Sequence, residues 1–125
     1  MRSIIKTDQA PAAIGPYSQA ILAGNVLYCS GQIPLDPETG SLITEGIEAE
    51  TERVLENLKA ILKAAKMQLT NVVSCRVYLT DMENYGPFNE VYARYFKEAL
   101  PARETVAVKA LPRGARIEIS CVAVL

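Results

Sequence analysis

Two stretches of the chain repeat apolar residues with the period of an α-helix. From Glu45 to Lys66 they fall at spacings of three and four, which places them on one helix face. These residues are Val54, Leu55, Leu58, Ile61, Leu62 and Ala65. A second helix is predicted from Tyr85 to Ala99, with Pro87 in its first turn, where proline is tolerated. Its apolar stripe comprises Phe88, Val91, Tyr92, Tyr95 and Phe96.

Alternation of apolar and polar residues predicts the strands. The segment from Val72 to Leu79 alternates in the manner of a half-buried strand. The residues predicted on its buried face are Val73, Cys75, Val77 and Leu79. Five more strands are predicted at residues 2–5, 17–23, 26–30, 105–110 and 117–124, with a tight turn at Gly24-Asn25. The order β-β-β-α-β-α-β-β predicts one α+β domain over residues 1–125, in which a mixed six-stranded sheet carries both helices on one face.

The sheet face away from the helices is predicted to be partly apolar. It comprises Arg116, Glu118, Ser120, Val122 and Val124 of the last strand and Thr105 and Ala107 of the preceding strand. Small proteins rarely leave such a surface in water. We therefore expect the chain to self-associate into a closed ring, with ligand pockets at the seams between subunits.

Composition narrows the class of protein. The length of 125 residues fits one domain, and a net charge of −1 argues against a dedicated nucleic-acid-binding protein. No stretch approaches the roughly 20 apolar residues that span a bilayer, so we expect no membrane partner. The three cysteines, Cys29, Cys75 and Cys121, lack CxxC spacing and fall in predicted strands. They are interpreted as buried free thiols in a reducing compartment, and we expect the protein in the cytoplasm.

The chain contains no histidine. This excludes Ser-His-Asp and Cys-His triads and histidine-ligated metal sites, and leaves carboxylates, hydroxyls, backbone groups and water for any chemistry. Arg103 lies between the second helix and the next strand, where its planar fork suits bidentate capture of a small carboxylate. The alternative is a surface arginine paired with Glu104 or with a carboxylate of the helix.

Three further positions are candidates for a site. Glu118, which we place on the strand adjacent to that of Arg103, either faces solvent or orients and deprotonates a water. Tyr17 follows the turn at Gly15-Pro16 and is either a packing residue or an aromatic lid whose hydroxyl forms hydrogen bonds. Gly31 belongs to Ser30-Gly31-Gln32, which resembles a strand that crosses close to another group, since glycine in a strand often marks the close approach of a ligand or of another backbone segment.

Seven motifs together resemble the RidA (YjgF) family of reactive-intermediate deaminases, over essentially the whole chain. They are Gly15-Pro16-Tyr17-Ser18-Gln19-Ala20, Ser30-Gly31-Gln32-Ile33-Pro34, Asn57-Leu58-Lys59-Ala60-Ile61-Leu62, Val77-Tyr78-Leu79-Thr80-Asp81-Met82, Asn89-Glu90-Val91-Tyr92, Pro101-Ala102-Arg103 and Ile117-Glu118-Ile119. The resemblance implies a chorismate mutase-like fold, a homotrimer and an active site in each cleft between neighbouring subunits. It also implies an enzyme that needs no metal or cofactor and hydrolyses 2-iminobutanoate and 2-iminopropanoate to 2-oxo acids and ammonia.

The resemblance also implies roles for individual residues. Arg103 would bind the substrate carboxylate and Glu118 would position the water. The residues implied to line the pocket are Tyr17, Ser30, Gly31, Asn89 and Thr105. Glu104 and Ser120 depart from the family pattern, which bears on substrate preference and rate. Three alternatives stay open: a non-catalytic 2-oxo acid sensor, a holdase-like chaperone and an RNA-cleaving translation inhibitor.

Overall fold

The computed structural model describes all 125 residues. Six strands and two α-helices make up the chain. They are β1 (Arg2–Ile5), β2 (Ala20–Ala23), β3 (Val26–Gln32), α1 (Ile47–Ala64), β4 (Val72–Leu79), α2 (Tyr85–Tyr95), β5 (Ala102–Ala107) and β6 (Ile117–Val124). The mixed six-stranded sheet and the single α+β architecture are as predicted.

The strands lie in the order β1-β2-β3-β6-β4-β5. All neighbouring pairs are antiparallel except β4 and β5, which run parallel because α2 connects them as a crossover. The prediction that Glu118 lies on the strand adjacent to that of Arg103 is wrong. The crossover places β5 at the edge beside β4, and β4 therefore separates β5 from β6.

Both helices pack on the same side of the sheet. The six residues predicted as the stripe of α1 are all buried, and so are Phe88, Val91, Tyr92 and Phe96 of the second predicted stripe. Across from them lie apolar side chains of the central strands, among them Val77, Leu79, Ile117 and Ile119. We call this side of the sheet the helix face and the other side the open face. Neither helix is long and apolar enough to cross a membrane.

Three local predictions are wrong in detail. Tyr17 does not open a strand, because β2 begins at Ala20 and the preceding residues form an irregular segment. Val73 is exposed instead of buried, because an irregularity between Val72 and Ser74 shifts the register of β4 against β6. The second helix ends at Tyr95, four residues before the predicted end.

The face assigned to Thr105 and Ala107 is also wrong. In the parallel pair, Arg103 and Thr105 lie beside Cys75 and Val77, which are both buried on the helix face, and Ala107 continues the same register. β5 is an edge strand without apolar alternation, so its own sequence does not indicate which side faces the core. The open face of β5 instead carries Glu104.

Candidate active site

Arg103 lies on the helix face, half-buried against the first turns of α2. Its Nη1 donates a hydrogen bond to the side-chain oxygen of Asn89 at 2.8 Å, and its Nη2 donates to the hydroxyl oxygen of Tyr85 at 2.6 Å. Tyr85 and Asn89 are four residues apart in α2, so their side chains emerge from the same side of the helix. One turn of helix therefore holds both ends of the guanidinium.

Aromatic rings cover the guanidinium of Arg103. Its central carbon lies 4.7 Å from the centre of the Tyr92 ring and 5.5 Å from that of Phe88, within the range of a cation–π contact. No carboxylate lies within 4.0 Å of it; Glu104 points to the open face, where it approaches Arg76 at 3.7 Å. The alternative in which Arg103 pairs with Glu104 is therefore wrong.

Buried polar groups adjoin this arginine. Thr105, two residues along the same face, has a buried hydroxyl oxygen without a hydrogen-bond partner, and so does Tyr92. Burial raises the pKa of the Cys75 thiol, although the charge of Arg103 opposes that effect. Burial, together with Cys75, also raises the pKa of Tyr92. Both groups are therefore neutral near pH 7 and leave the positive charge of Arg103 uncompensated.

Glu118 projects from the open face, as predicted. It pairs in register with Tyr78 of β4. Its carboxylate occupies the space beside Gly31 that a Cβ atom at residue 31 would take. A Cβ atom at residue 31 would collide with that carboxylate, so the glycine makes room for it. Burial raises the pKa of Glu118 above its ordinary value.

A bulge in β3 sets the positions of Ser30 and Gly31. Cys29 pairs with Cys121 and Gln32 pairs with Ile119, so the residues at 30 and 31 together face the single residue Ser120. The hydroxyl of Ser30 donates to the backbone oxygen of Ser18 at 2.6 Å. This bond holds the segment that carries Tyr17.

The side chain of Tyr17 completes this group. Tyr17, Gly31 and Glu118 line one recess of about 280 Å³, and 55% of Tyr17 is exposed. Gly15 adopts a φ of +133°, a conformation that side chains disfavour, where the chain turns toward Tyr17. Tyr17 therefore shares a recess with the carboxylate of Glu118.

The candidates therefore form two groups on opposite faces of one sheet. Arg103, Asn89 and Thr105 lie on the helix face, whereas Tyr17, Ser30, Gly31 and Glu118 lie around the open face. Because the sheet stands between them, one copy of the chain cannot bring Arg103 and Glu118 to the same small ligand. A site that uses both requires the helix-face group of one copy and the open-face group of another.

Sequence reasoning missed Tyr85 and Tyr92 as partners of Arg103. The available signal was their spacing from Asn89, four residues before it and three after it, which puts all three side chains on one side of a helix. The three cysteines are buried and free, as predicted. No three histidine, cysteine or acidic side chains lie close enough together to hold a metal ion.

Comparisons with known proteins agree in fold and family. A family model described as endoribonuclease L-PSP matches residues 7–125. The mouse 2-iminobutanoate/2-iminopropanoate deaminase is 49% identical over 99% of this chain and 92% of its own. A crystal structure of a candidate endoribonuclease from Thermotoga maritima is 54% identical, with a TM-score of 0.98 over 100% of this chain and 98% of its own.

A second solved structure has a bound ligand. Escherichia coli TdcF with bound serine is 37% identical and superposes with a TM-score of 0.94 over 98% of both chains. The match to the family model and the identity to the mouse protein each cover nearly the whole sequence. The chain therefore belongs to the endoribonuclease L-PSP family, also called the RidA or YjgF family.

Proposed function

We propose that this protein hydrolyses small 2-imino acids, of the class of 2-iminobutanoate and 2-iminopropanoate, to 2-oxo acids and ammonia. Water adds to the imine carbon, the resulting carbinolamine loses ammonia, and a carbonyl oxygen replaces the nitrogen. The reaction consumes one water and requires no metal, cofactor or covalent nucleophile. The name of the mouse relative supports this substrate class, and the serine bound to TdcF supports a small ligand with a carboxylate.

The observation that carries the proposal is the state of Arg103. Neutral acceptors on α2 hold the guanidinium in place, and no carboxylate of the chain neutralises it. Two of its five N–H groups are engaged, which leaves three for an incoming anion. A carboxylate fits a planar guanidinium through two parallel hydrogen bonds. Arg103 thus anchors the substrate through its carboxylate.

Glu118 supplies the base in this proposal. Its carboxylate is half-buried beside Gly31, and burial raises its pKa above the ordinary glutamate value, which makes the carboxylate a stronger base. It orients the attacking water and takes its proton, and then returns a proton to the departing nitrogen. In this proposal Tyr17 covers the recess, the backbone of Gly31 lines it beside Glu118, and Ser30 and Thr105 border the pocket.

A homotrimer completes the site. Arg103 and Glu118 lie on opposite faces of one sheet, and a closed ring repeats a contact between two different faces around its axis. On the open face, 53% of Tyr28 and 43% of Val106 are exposed in the single chain. Apolar side chains of this size favour a surface that another subunit covers. In this arrangement each of three equivalent clefts combines Arg103 of one subunit with Glu118 of the next.

The test is ammonia release from enzymatically generated 2-aminoacrylate, with Arg103→Lys as the variant. Lysine keeps the charge but replaces the two-pronged donor with a single point donor. We expect a loss of about 1.5–3 kcal/mol, or roughly 10- to 150-fold in kcat/KM. Arg94→Lys is the matched control, because Arg94 is exposed on α2 and has no hydrogen bond or ion pair.

Two outcomes would contradict the proposal. Wild-type activity in Arg103→Lys would exclude the carboxylate clamp. Ribonuclease activity that is unaffected by Arg103→Lys, without imine hydrolysis, would favour the reaction named by the family model. Calorimetry with 2-oxobutanoate distinguishes an enzyme from a sensor, because a sensor binds this product without releasing ammonia from the imine.

A further inference from the structure

Tyr85 makes a contact to Arg103 that the proposed reaction does not by itself require. It is the first residue of α2, and 37% of it is exposed. Its hydroxyl oxygen accepts the hydrogen bond from Nη2 of Arg103 at 2.6 Å, which is slightly shorter than the usual range for N–H···O bonds. The hydroxyl itself donates no hydrogen bond within the chain.

Three contacts restrict the guanidinium in different directions. Tyr92 lies at 4.7 Å from it, Asn89 holds Nη1 and Tyr85 holds Nη2. A long arginine side chain otherwise has considerable rotamer freedom, which it loses when its guanidinium is fixed. Two acceptors at the ends of a planar fork restrict its rotation far more than one acceptor does.

The two acceptors, the side-chain oxygens of Asn89 and Tyr85, carry no charge that would compete with an anionic ligand. A carboxylate in place of Tyr85 would neutralise the arginine and compete with an anionic ligand. A phenol oxygen holds the nitrogen without removing its charge. A hydroxyl that accepts from a cation also becomes a stronger donor, because hydrogen bonds in a chain polarise one another. The contact therefore orients the cation and leaves it available.

We propose that Tyr85 is a positioning residue of the carboxylate site, which presets the plane of the Arg103 guanidinium for two-pronged binding of a small 2-oxo or 2-imino acid. This inference rests on the proposed function. Tyr85 and Asn89 act as a pair of neutral acceptors one helical turn apart. The opposite relation is also testable: if the ligand had to displace the phenol from Nη2, removing the hydroxyl would tighten binding.

The test uses Tyr85→Phe in the full-length protein, with 2-oxobutanoate as the probe in calorimetry and 2-iminopropanoate in kinetics. We expect Kd and KM to rise about five- to tenfold, the effect of losing one hydrogen bond of typical net strength, with kcat within about twofold. Tyr95→Phe is the matched control. It removes the hydroxyl at the other end of the same helix, which donates to the carboxylate of Glu56 at 2.7 Å. This substitution should change neither Kd nor KM.

A double-mutant cycle shows whether Tyr85 acts through Arg103. In the Arg103→Lys background, Tyr85→Phe should have no further effect on Kd. An equal loss in both backgrounds, unchanged binding, or tighter binding by Tyr85→Phe would each overturn the inference while the proposed function stands. A wild-type protein that neither binds 2-oxobutanoate nor hydrolyses the imine would overturn the proposed function and this inference together.

Discussion

The surroundings of Glu118 alter the ionisation of its carboxyl group. The carboxylate is half-buried on the open face, and burial makes ionisation more costly, so its pKa is raised. If Glu118 is the base, activity should rise with pH as the carboxyl group loses its proton. That rise should lie at higher pH than an ordinary glutamate would give, because the pKa is displaced upward.

Glu118→Gln should therefore lower turnover strongly and remove the acidic limb of the pH–rate profile. The stability of the fold gives an independent check on the same pKa. A raised pKa means that the folded state binds the proton more tightly, so the free energy of unfolding falls as pH rises from the ordinary glutamate value through the raised one. Urea unfolding across that window should show less of this fall in Glu118→Gln. Glu38→Gln, in an exposed turn, is the control, and an unchanged profile in Glu118→Gln would exclude Glu118 as the base.

A substitution at Gly31 tests the position of the Glu118 carboxylate, because it leaves the carboxylate itself chemically unchanged. Gly31→Ala places a methyl group where the Glu118 carboxylate now lies. The side chain of Glu118 can rotate away, so we expect a folded protein with turnover reduced on the order of 100-fold by the displaced carboxylate. Gly86→Ala is the control, because nothing lies within 4 Å of a Cβ there and alanine suits the helix. Equal turnover in the two variants would show that the position of Glu118 is not critical.

At the scale of elements, sequence periodicity correctly predicted the helix and the strand whose buried faces form the core. The stripe of α1 and the alternation of β6 were correct because burial of one face imposes that pattern. The face of β5 was not predictable, since an edge strand with Arg103, Glu104 and Thr105 has no apolar alternation. The neighbour of β6 was not predictable either, because the α2 crossover, and not the order along the chain, determines that β4 lies between β5 and β6.

The segment before β2 shows how a buried polar side chain can replace regular structure. The amide of Gln19 accepts from the backbone N–H of Thr7 at 2.8 Å and donates to the backbone oxygens of Thr7 and Pro11 at 3.1 Å and 2.8 Å. Gln19 is 4% exposed, so water does not readily replace these bonds. One side chain thereby holds residues 7–11 against the irregular segment that carries Tyr17.

Gln19→Ala should accordingly destabilise the fold by about 1–3 kcal/mol, the cost of leaving buried polar groups without partners. Hydrogen exchange should accelerate at the amide of Thr7, which donates to Gln19, and KM should rise as Tyr17 loses its support. The control is Gln9→Ala, which truncates an exposed glutamine of the same segment. Unchanged protection of Thr7 in Gln19→Ala would show that the segment is held by other contacts.

At the scale of the whole molecule, the sheet itself determines how many chains a site needs. Residues in register on neighbouring strands point to the same side of the sheet. Arg103 pairs with Cys75 and Glu118 pairs with Tyr78. Because Cys75 and Tyr78 are an odd number of residues apart on β4, the side chains of Arg103 and Glu118 point to opposite faces. Sequence analysis identified both residues but could not show this separation, because it depends on strand order and register. The separation makes assembly a requirement of the proposed chemistry.

Assembly can be measured before activity is considered. Light scattering at micromolar concentration should give about three times the 13.6 kDa mass of the chain. A monomer under these conditions would exclude any site shared between subunits. The mass alone does not reveal which residues meet across the interface, so the decisive experiment combines two inactive variants.

Arg103→Ala and Glu118→Gln each remove one half of every shared site, and each trimer should be inactive by itself. The two variants are then mixed in equal amounts, unfolded and refolded together. The Glu118→Gln chain still carries Arg103, and the Arg103→Ala chain still carries Glu118. A cleft is therefore intact only if the first chain supplies its arginine and the second supplies its glutamate. Random assembly meets both conditions in about one quarter of the clefts, so about a quarter of wild-type activity should return. Refolding each variant alone controls for recovery of the fold. If the mixture stays as inactive as its components although mixed trimers form, Arg103 and Glu118 do not act together across the interface, and the catalytic water must be activated by another group.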